Sequence, residues 1–168
     1  RQAATNLDMV VTTGGASVGS HDHIADDLAD GALDFWKIAM RPGKPLIWGK
    51  IGTTPLLGLP GNPVSTAVCA LVFLAPAIRK LGGGTYQQQS FLATITSDLP
   101  ENDQRQDYMR ANLESGDDGL TMVRPAHRQD SSMMATLALA NAFIVRPPFD
   151  PPLTAGDTVT ILPMPRLF

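Results

Sequence analysis

The segment Thr12-Thr13-Gly14-Gly15-Ala16-Ser17-Val18-Gly19 places three glycines and three hydroxyls within eight residues. Glycine lets the backbone turn with positive φ and come close to a ligand, and the hydroxyls and free N–H groups there can receive phosphate or another oxyanion. The spacing is neither that of a P-loop nor that of a dinucleotide fingerprint, and no Gly-Lys-Ser/Thr follows. On the residues alone, an anion cradle and a tight strand-to-helix turn both remain open. A second loop, Gly58-Leu59-Pro60-Gly61-Asn62-Pro63-Val64-Ser65, sets two prolines around Gly61 and Asn62. Helix capping accounts for Asn62 and Pro63 but not for Pro60-Gly61, and a helix start presents unpaired N–H groups and a partial positive charge. Two such loops at strand ends of one α/β unit would face a single ligand.

A third segment, Phe35-Trp36-Lys37-Ile38-Ala39-Met40-Arg41-Pro42-Gly43-Lys44-Pro45, concentrates cations in a chain with 13 basic and 16 acidic residues. If it is a strand, Lys37, Ala39 and Arg41 share one face, and Lys44 reaches the same anion from the following turn. The alternative is a solvated charge cluster. His21-Asp22-His23 follows the first loop, and its carboxylate is a candidate Mg²⁺ ligand that would bridge the metal to phosphate oxygens. Zinc lacks a third and fourth ligand here. Asp26, Asp27 and Asp30 are expected on the wet face of a helix, and Cys69 in an apolar core.

These loops need elements to hold them. Asp8–Thr13, Phe35–Met40, Leu46–Ile51 and Pro55–Leu59 read as strands and Ile24–Leu28 as a helix. A buried helix is predicted from Asn62 and Pro63 to the stop at Gly82-Gly83-Gly84, with Pro76 interrupting its apolar run before a bilayer span is reached. After residue 84 the pattern becomes short strands, at Phe91–Thr96, Tyr108–Leu113, Leu120–Val123, Ala142–Val145 and Thr158–Leu162, which suits a small barrel or sandwich. The expected boundary divides the chain into 1–85 and 86–168, an α/β part and an all-β part.

The formal charge of −3 provides no basic field for nucleic acid or an anionic membrane, so neither is an expected partner. A lone cysteine and a start without signal-peptide character predict a cytoplasmic protein. The start also lacks Met, which fits a piece of a longer chain.

The three segments at 12–19, 35–45 and 58–65, in this order and spacing and followed by Ser131-Ser132-Met133-Met134 and Leu139-Ala140-Asn141-Ala142, resemble the molybdopterin molybdenumtransferase (MoeA / gephyrin E-domain) family. The resemblance covers nearly the whole chain. It implies a partial three-layer α/β molybdopterin-binding (MogA-like) domain followed by a small C-terminal β-barrel domain. The implied reaction inserts molybdenum from molybdate into adenylylated molybdopterin, releases AMP and uses Mg²⁺. The fragment by itself is not expected to turn over, and the full-length protein is expected to be a homodimer acting on small molecules. By the same resemblance Asp22, Lys37 and Arg41 are catalytic, with Asp22 also the metal ligand. Thr13, Gly14, Gly15, Ser17, Gly19, Lys44, Pro60, Gly61, Asn62, Ser65, Arg110 and Ser131 bind the substrates. Arg41 stands where many members carry lysine. The rival reading is a non-catalytic pterin-binding or protein-scaffold module with the same loops.

Overall fold

The computed structural model describes residues 4, 6–14, 33–116, 119–130 and 133–165. They form two compact units, one of residues 1–38 and 42–86, the other of residues 39–41 and 87–168. The helix expected at Ile24–Leu28 lies outside the described residues.

The first unit is built on a sheet of β1 (Val10–Thr13), β2 (Leu33–Phe35), β4 (Ile47–Ile51) and β5 (Thr54–Leu59) in the order β1-β5-β4-β2. β1 runs parallel to β5, whereas β4 is antiparallel to both β5 and β2. The sheet is therefore mixed, because the hairpin at Gly52, with φ 63°, returns the chain directly. β5 is central, and its Leu56, Leu57 and Leu59 are all buried, as an apolar run without alternation requires. Ile47 and Leu56 form the core with Val10, Leu33 and Ile51 against them.

Helix α1 (Pro63–Leu81) follows β5. Asn62 caps it and Gly83, with φ 77°, closes it: the Gly83 and Gly84 amides donate to the carbonyls of Lys80 and Arg79. Pro76 does not interrupt it. The helix widens to a π-turn over Ala70–Leu74, where the Ala75 amide donates to the Ala70 carbonyl, and this absorbs the proline's missing N–H and its clash with the preceding turn. By length and composition α1 would reach across a bilayer. Its first half is nevertheless core, with Val64, Val68 and Cys69 fully buried, while Ile78 and Leu81 near its end are exposed.

The second unit contains a closed barrel of five strands: β6 (Phe91–Ile95), β7 (Gln106–Ser115), β8 (Thr121–Pro125), β9 (Ala142–Arg146) and β10 (Thr158–Pro163). Hydrogen bonding runs β7-β8-β6-β10-β9 and returns to β7, antiparallel except for β6 with β8. Alternation within the strands sends Ala93, Ile95, Ala111, Val123, Ala142, Ile144, Val159 and Ile161 inward. A short helix, α2 (Met134–Leu139), bridges β8 and β9. Arg146, 2% exposed, donates to Asp150 and to the carbonyls of Pro100 and Pro151 (3.2 and 2.7 Å), which satisfies a buried cation at the barrel rim.

The strand expected over Phe35–Met40 divides in two. β2 ends at Phe35, and β3 (Met40–Arg41) pairs in parallel with Gln106–Asp107 of β7, so it belongs to the second unit. The shared face expected for Lys37, Ala39 and Arg41 does not form. Met40 is 4% exposed and Arg41 has an ion-pair partner on β7, and both draw this dipeptide away from the first sheet.

Candidate functional site

Parallel pairing brings the first two loops together. The register runs from Val10 opposite Leu56 to Thr13 opposite Leu59, so β1 and β5 end side by side, and the Gly14 amide donates to the Leu59 carbonyl at 3.1 Å. Gly14 has φ 78°, a conformation that β-carbon-bearing residues avoid. A β-carbon built on Gly61 would lie 3.3 Å from the Gly14 α-carbon. The close approach therefore depends on Gly61, whereas Gly14 is required by its φ, since a β-carbon there would lie 4.0 Å from the Gly61 α-carbon, an ordinary contact. Thr13 is exposed at the strand end, Pro60 is buried and Gly61 is exposed beside it.

The start of α1 is not a row of free donors. Pro63 has no N–H, the Val64 and Ser65 amides donate to Asn62 Oδ1 at 3.1 and 3.2 Å, and the Thr66 amide donates to the Asn62 carbonyl at 2.8 Å. Any anion received here must displace the Asn62 side chain or use donors ahead of it, with the helix dipole acting in either case. Ser65 is 6% exposed and lies within the packed first turn. Thr66, a residue not singled out from the sequence, has its hydroxyl within reach of the carbonyls of Pro60 and of Asn62 (2.9 Å) and so braces the loop from behind. The i, i+4 and i, i+6 spacing is the only local signal for that role.

Lys37 lies beyond the end of β2, with its ammonium 4.4 Å from the centre of the Trp36 ring, a cation–π contact on an exposed surface. The Ile38 amide donates to the Lys44 carbonyl at 3.0 Å, which pinches the segment so that its two lysines flank one backbone bridge. Gly43, with φ 120°, makes the reversal, and its carbonyl faces the thiol of Cys69 at 4.0 Å. Burial pushes that thiol up to about 12, which marks Cys69 as inert core. Among the described residues, no hydrogen bond or ion pair joins Lys37 or Lys44 to either glycine loop.

Arg41 is engaged within the second unit. Its Nε donates to Asp107 Oδ2 at 3.0 Å, Nη2 donates to the same oxygen, and Nη1 lies 3.4 Å from Asp103 Oδ2. Arg110 on β7 is 1% exposed; its Nη2 donates to the Asp130 carbonyl at 3.3 Å and its Nε has no partner among the described residues. Burial lowers the pKa of Arg110, opposed by the charges of Asp107 and Asp130. Asp107, 5% exposed, thus pairs with Arg41 and acts through its charge on Arg110, two arginines that the sequence marked separately. Asp103 is held at about 2, chiefly by its side-chain hydrogen bond from Arg105.

Gly15, Ser17, Gly19, Asp22 and Ser131 lie outside the described residues. Among the described residues, no group of three or more His, Cys, Asp or Glu side chains could hold a metal ion.

Comparison with known proteins gives two consecutive matches, to a "probable molybdopterin binding domain" over residues 1–80 and to the "MoeA C-terminal region (domain IV)" over residues 93–164. A molybdopterin molybdenumtransferase from Haemophilus influenzae is 36% identical over 98% of this chain and 42% of its own length. One from Nostoc is 33% identical over 98% of this chain and 39% of its own. A gephyrin from Dictyostelium discoideum is 30% identical over 90% of this chain and 25% of its own. The chain thus spans about two fifths of the length of these two molybdenumtransferases. The structure of a molybdopterin biosynthesis MoeA protein from Pyrococcus horikoshii superposes with a TM-score of 0.74, covering 97% of this chain and 37% of the other at 21% identity.

Proposed function

The chain belongs to the molybdopterin molybdenumtransferase (MoeA / gephyrin E-domain) family, and from that premise we propose that, within its full-length protein, it serves molybdenum cofactor biosynthesis. The activity is insertion of molybdenum from molybdate into adenylylated molybdopterin, with release of AMP. The observation that carries this reading is the convergence of Gly14 and Gly61 at the adjoining ends of two parallel strands. A backbone seat there, beside the positive end of α1, suits the phosphate of a pterin substrate.

In this reading Thr13 and Gly14, with Gly15, Ser17 and Gly19 following in the chain, and Pro60, Gly61, Asn62 and Ser65 are the residues that bind the pterin substrate. Molybdate is a dianion, and Lys37 and Lys44 supply charge that offsets its repulsion from the pterin phosphate. Arg41 and Arg110 act on the same class of ligand from the barrel side of the sequence, with Ser131 beside them in chain order. No side-chain nucleophile is needed, since the work is positioning and charge compensation. Asp22 is the carboxylate proposed to act near the phosphoanhydride. The described residues do not fit a Mg²⁺ site, and no step here runs through one. A cytoplasmic homodimer of the full-length protein completes the proposal.

The test is molybdate-dependent AMP release by the full-length protein, paired with calorimetry of molybdopterin binding. Release that Lys37→Ala abolishes, in a protein that still binds molybdopterin, supports the reading. Binding without release in the wild type makes the chain a pterin-binding module and overturns it.

A further inference from the structure

Two carboxylates grip Arg41 with unequal strength, and the inequality has a cause. Asp107 is almost fully withdrawn from solvent and takes both Nε, at 3.0 Å, and Nη2 on one oxygen. This side-on contact fixes the plane of the guanidinium. Asn102 adds a longer contact, 3.4 Å from Nη2 to Oδ1, and its own amide is anchored by the carbonyls of Arg105 and Pro147, both at 2.7 Å. Asp103 touches only Nη1, at 3.4 Å, with its side chain 41% exposed.

Asp103 is kept at that distance by Arg105. Its Oδ1 accepts from the Arg105 amide at 2.8 Å and from Nε at 3.2 Å, and its Oδ2 accepts from Nε at 3.1 Å and from Nη2. A carboxylate saturated by one arginine makes a weak partner for another. Arg41 therefore has one edge locked and one edge exposed and loosely covered. The charge of Asp107 also acts on Arg110 at longer range.

We propose that Asp107 is the positioning residue that orients Arg41 for the oxyanion role assigned to it above, and that Asp103 is a displaceable occupant of the Nη1 edge, which the oxyanion takes over. The choice of molybdate as the natural oxyanion rests on the function proposed above; the seat itself rests on the Arg41 geometry. The ligand takes the place of the 3.4 Å contact and leaves Asp103 with Arg105.

The test is calorimetric titration of the full-length protein with molybdate and, separately, with inorganic phosphate. The variants are Asp103→Asn, Arg105→Gln, the double variant Asp103→Asn/Arg105→Gln, and Asp107→Asn. Loss of a competing exposed pair is worth about two- to fivefold in affinity. Asp103→Asn should tighten binding by that factor, and Arg105→Gln, which frees Asp103 to close on Arg41, should weaken it. The double variant leaves the net charge unchanged and should still bind more tightly than wild type. A mere change in local field returns it to the wild-type value, and that result overturns the proposal. Asp107→Asn should weaken binding about tenfold, restored in part by Asp107→Glu. Where these variants do not fold, the exposed Asp103 and Arg105 variants still decide. The anion showing the larger shifts is the natural class of ligand. If the titrations behave as stated but no AMP is released, the molybdenumtransferase reading falls and the seat stands. If AMP is released and no variant shifts anion affinity, the seat falls and the reading stands.

Discussion

Gly61→Ala separates the ligand seat from the fold that carries it. The new β-carbon would lie 3.3 Å from the Gly14 α-carbon, so the two backbones must part by a few tenths of an ångström. Gly61 is exposed, and restricting the unfolded chain contributes about 0.4–1 kcal/mol of stability, which offsets the strain of that shift. Net stability should stay within about 1 kcal/mol of wild type, a change of about 2–4 °C in Tm. Binding is less forgiving. Weakening one charge-assisted hydrogen bond to the phosphate, worth about 1.5–3 kcal/mol, by half costs about 0.8–1.5 kcal/mol, or about four- to twelvefold in affinity. The control is Gly58→Ala, three residues earlier. There the β-carbon would lie 2.8 Å from the Ile47 β-carbon and 3.3 Å from Thr12 Oγ1, inside the sheet, where overpacking costs about 1–3 kcal/mol of stability. Thermal unfolding and molybdopterin calorimetry on the full-length protein read both quantities. Wild-type pterin affinity for Gly61→Ala, together with the expected loss of Tm in Gly58→Ala, would refute the idea that Gly14 and Gly61 form the seat.

Asn62→Ala removes the acceptor of two α1 amides and should lower unfolding free energy by about 1 kcal/mol, with Asn62→Asp retaining most of it; urea titration checks both. Cys69 should resist a thiol reagent at pH 8 until the protein unfolds, because burial raises its pKa to about 12 and keeps it protonated; labelling at the rate of an exposed thiol contradicts the packing around it. The Asp103 pKa is depressed in the folded state, to about 2, so the Asp103–Arg105 pair contributes above the ordinary carboxylate pKa near 4 and its contribution is lost as pH falls from about 4 towards 2. The stability difference between wild type and Asp103→Asn, followed by denaturant unfolding across that range, should shrink at the acid end, and a difference that grows there inverts the sign.

Most of the scaffold was legible because its signals are local. The alternation in Thr158–Leu162 and Phe91–Thr96, the cap at Asn62-Pro63 and the stop at Gly82-Gly83-Gly84 each lie within a few residues of what they control. Pro76 lies inside the single helix expected from Asn62 to the Gly82 stop, and a π-turn at Ala70–Leu74 carries that helix unbroken to Leu81, so the proline does not shorten it below a bilayer span as its place in the apolar run suggested. Lys37, Ala39 and Arg41 alternate as a strand face should, and Arg41 nevertheless pairs with a residue 66 positions away. No window around residue 41 contains Asp107.

By itself the sequence determined most of the strands, the capped helix after Asn62, the conformations only glycine tolerates and the family, since these depend on residue type and neighbours along the chain. The tertiary structure decided which loop meets which: that Gly14 touches Gly61, that the first amides of α1 are taken by Asn62, and that Arg41 is held by Asp107 and only brushed by Asp103. Those outcomes come from strand register and from competition among partners distant in the chain, where a few tenths of an ångström decide which hydrogen bond forms.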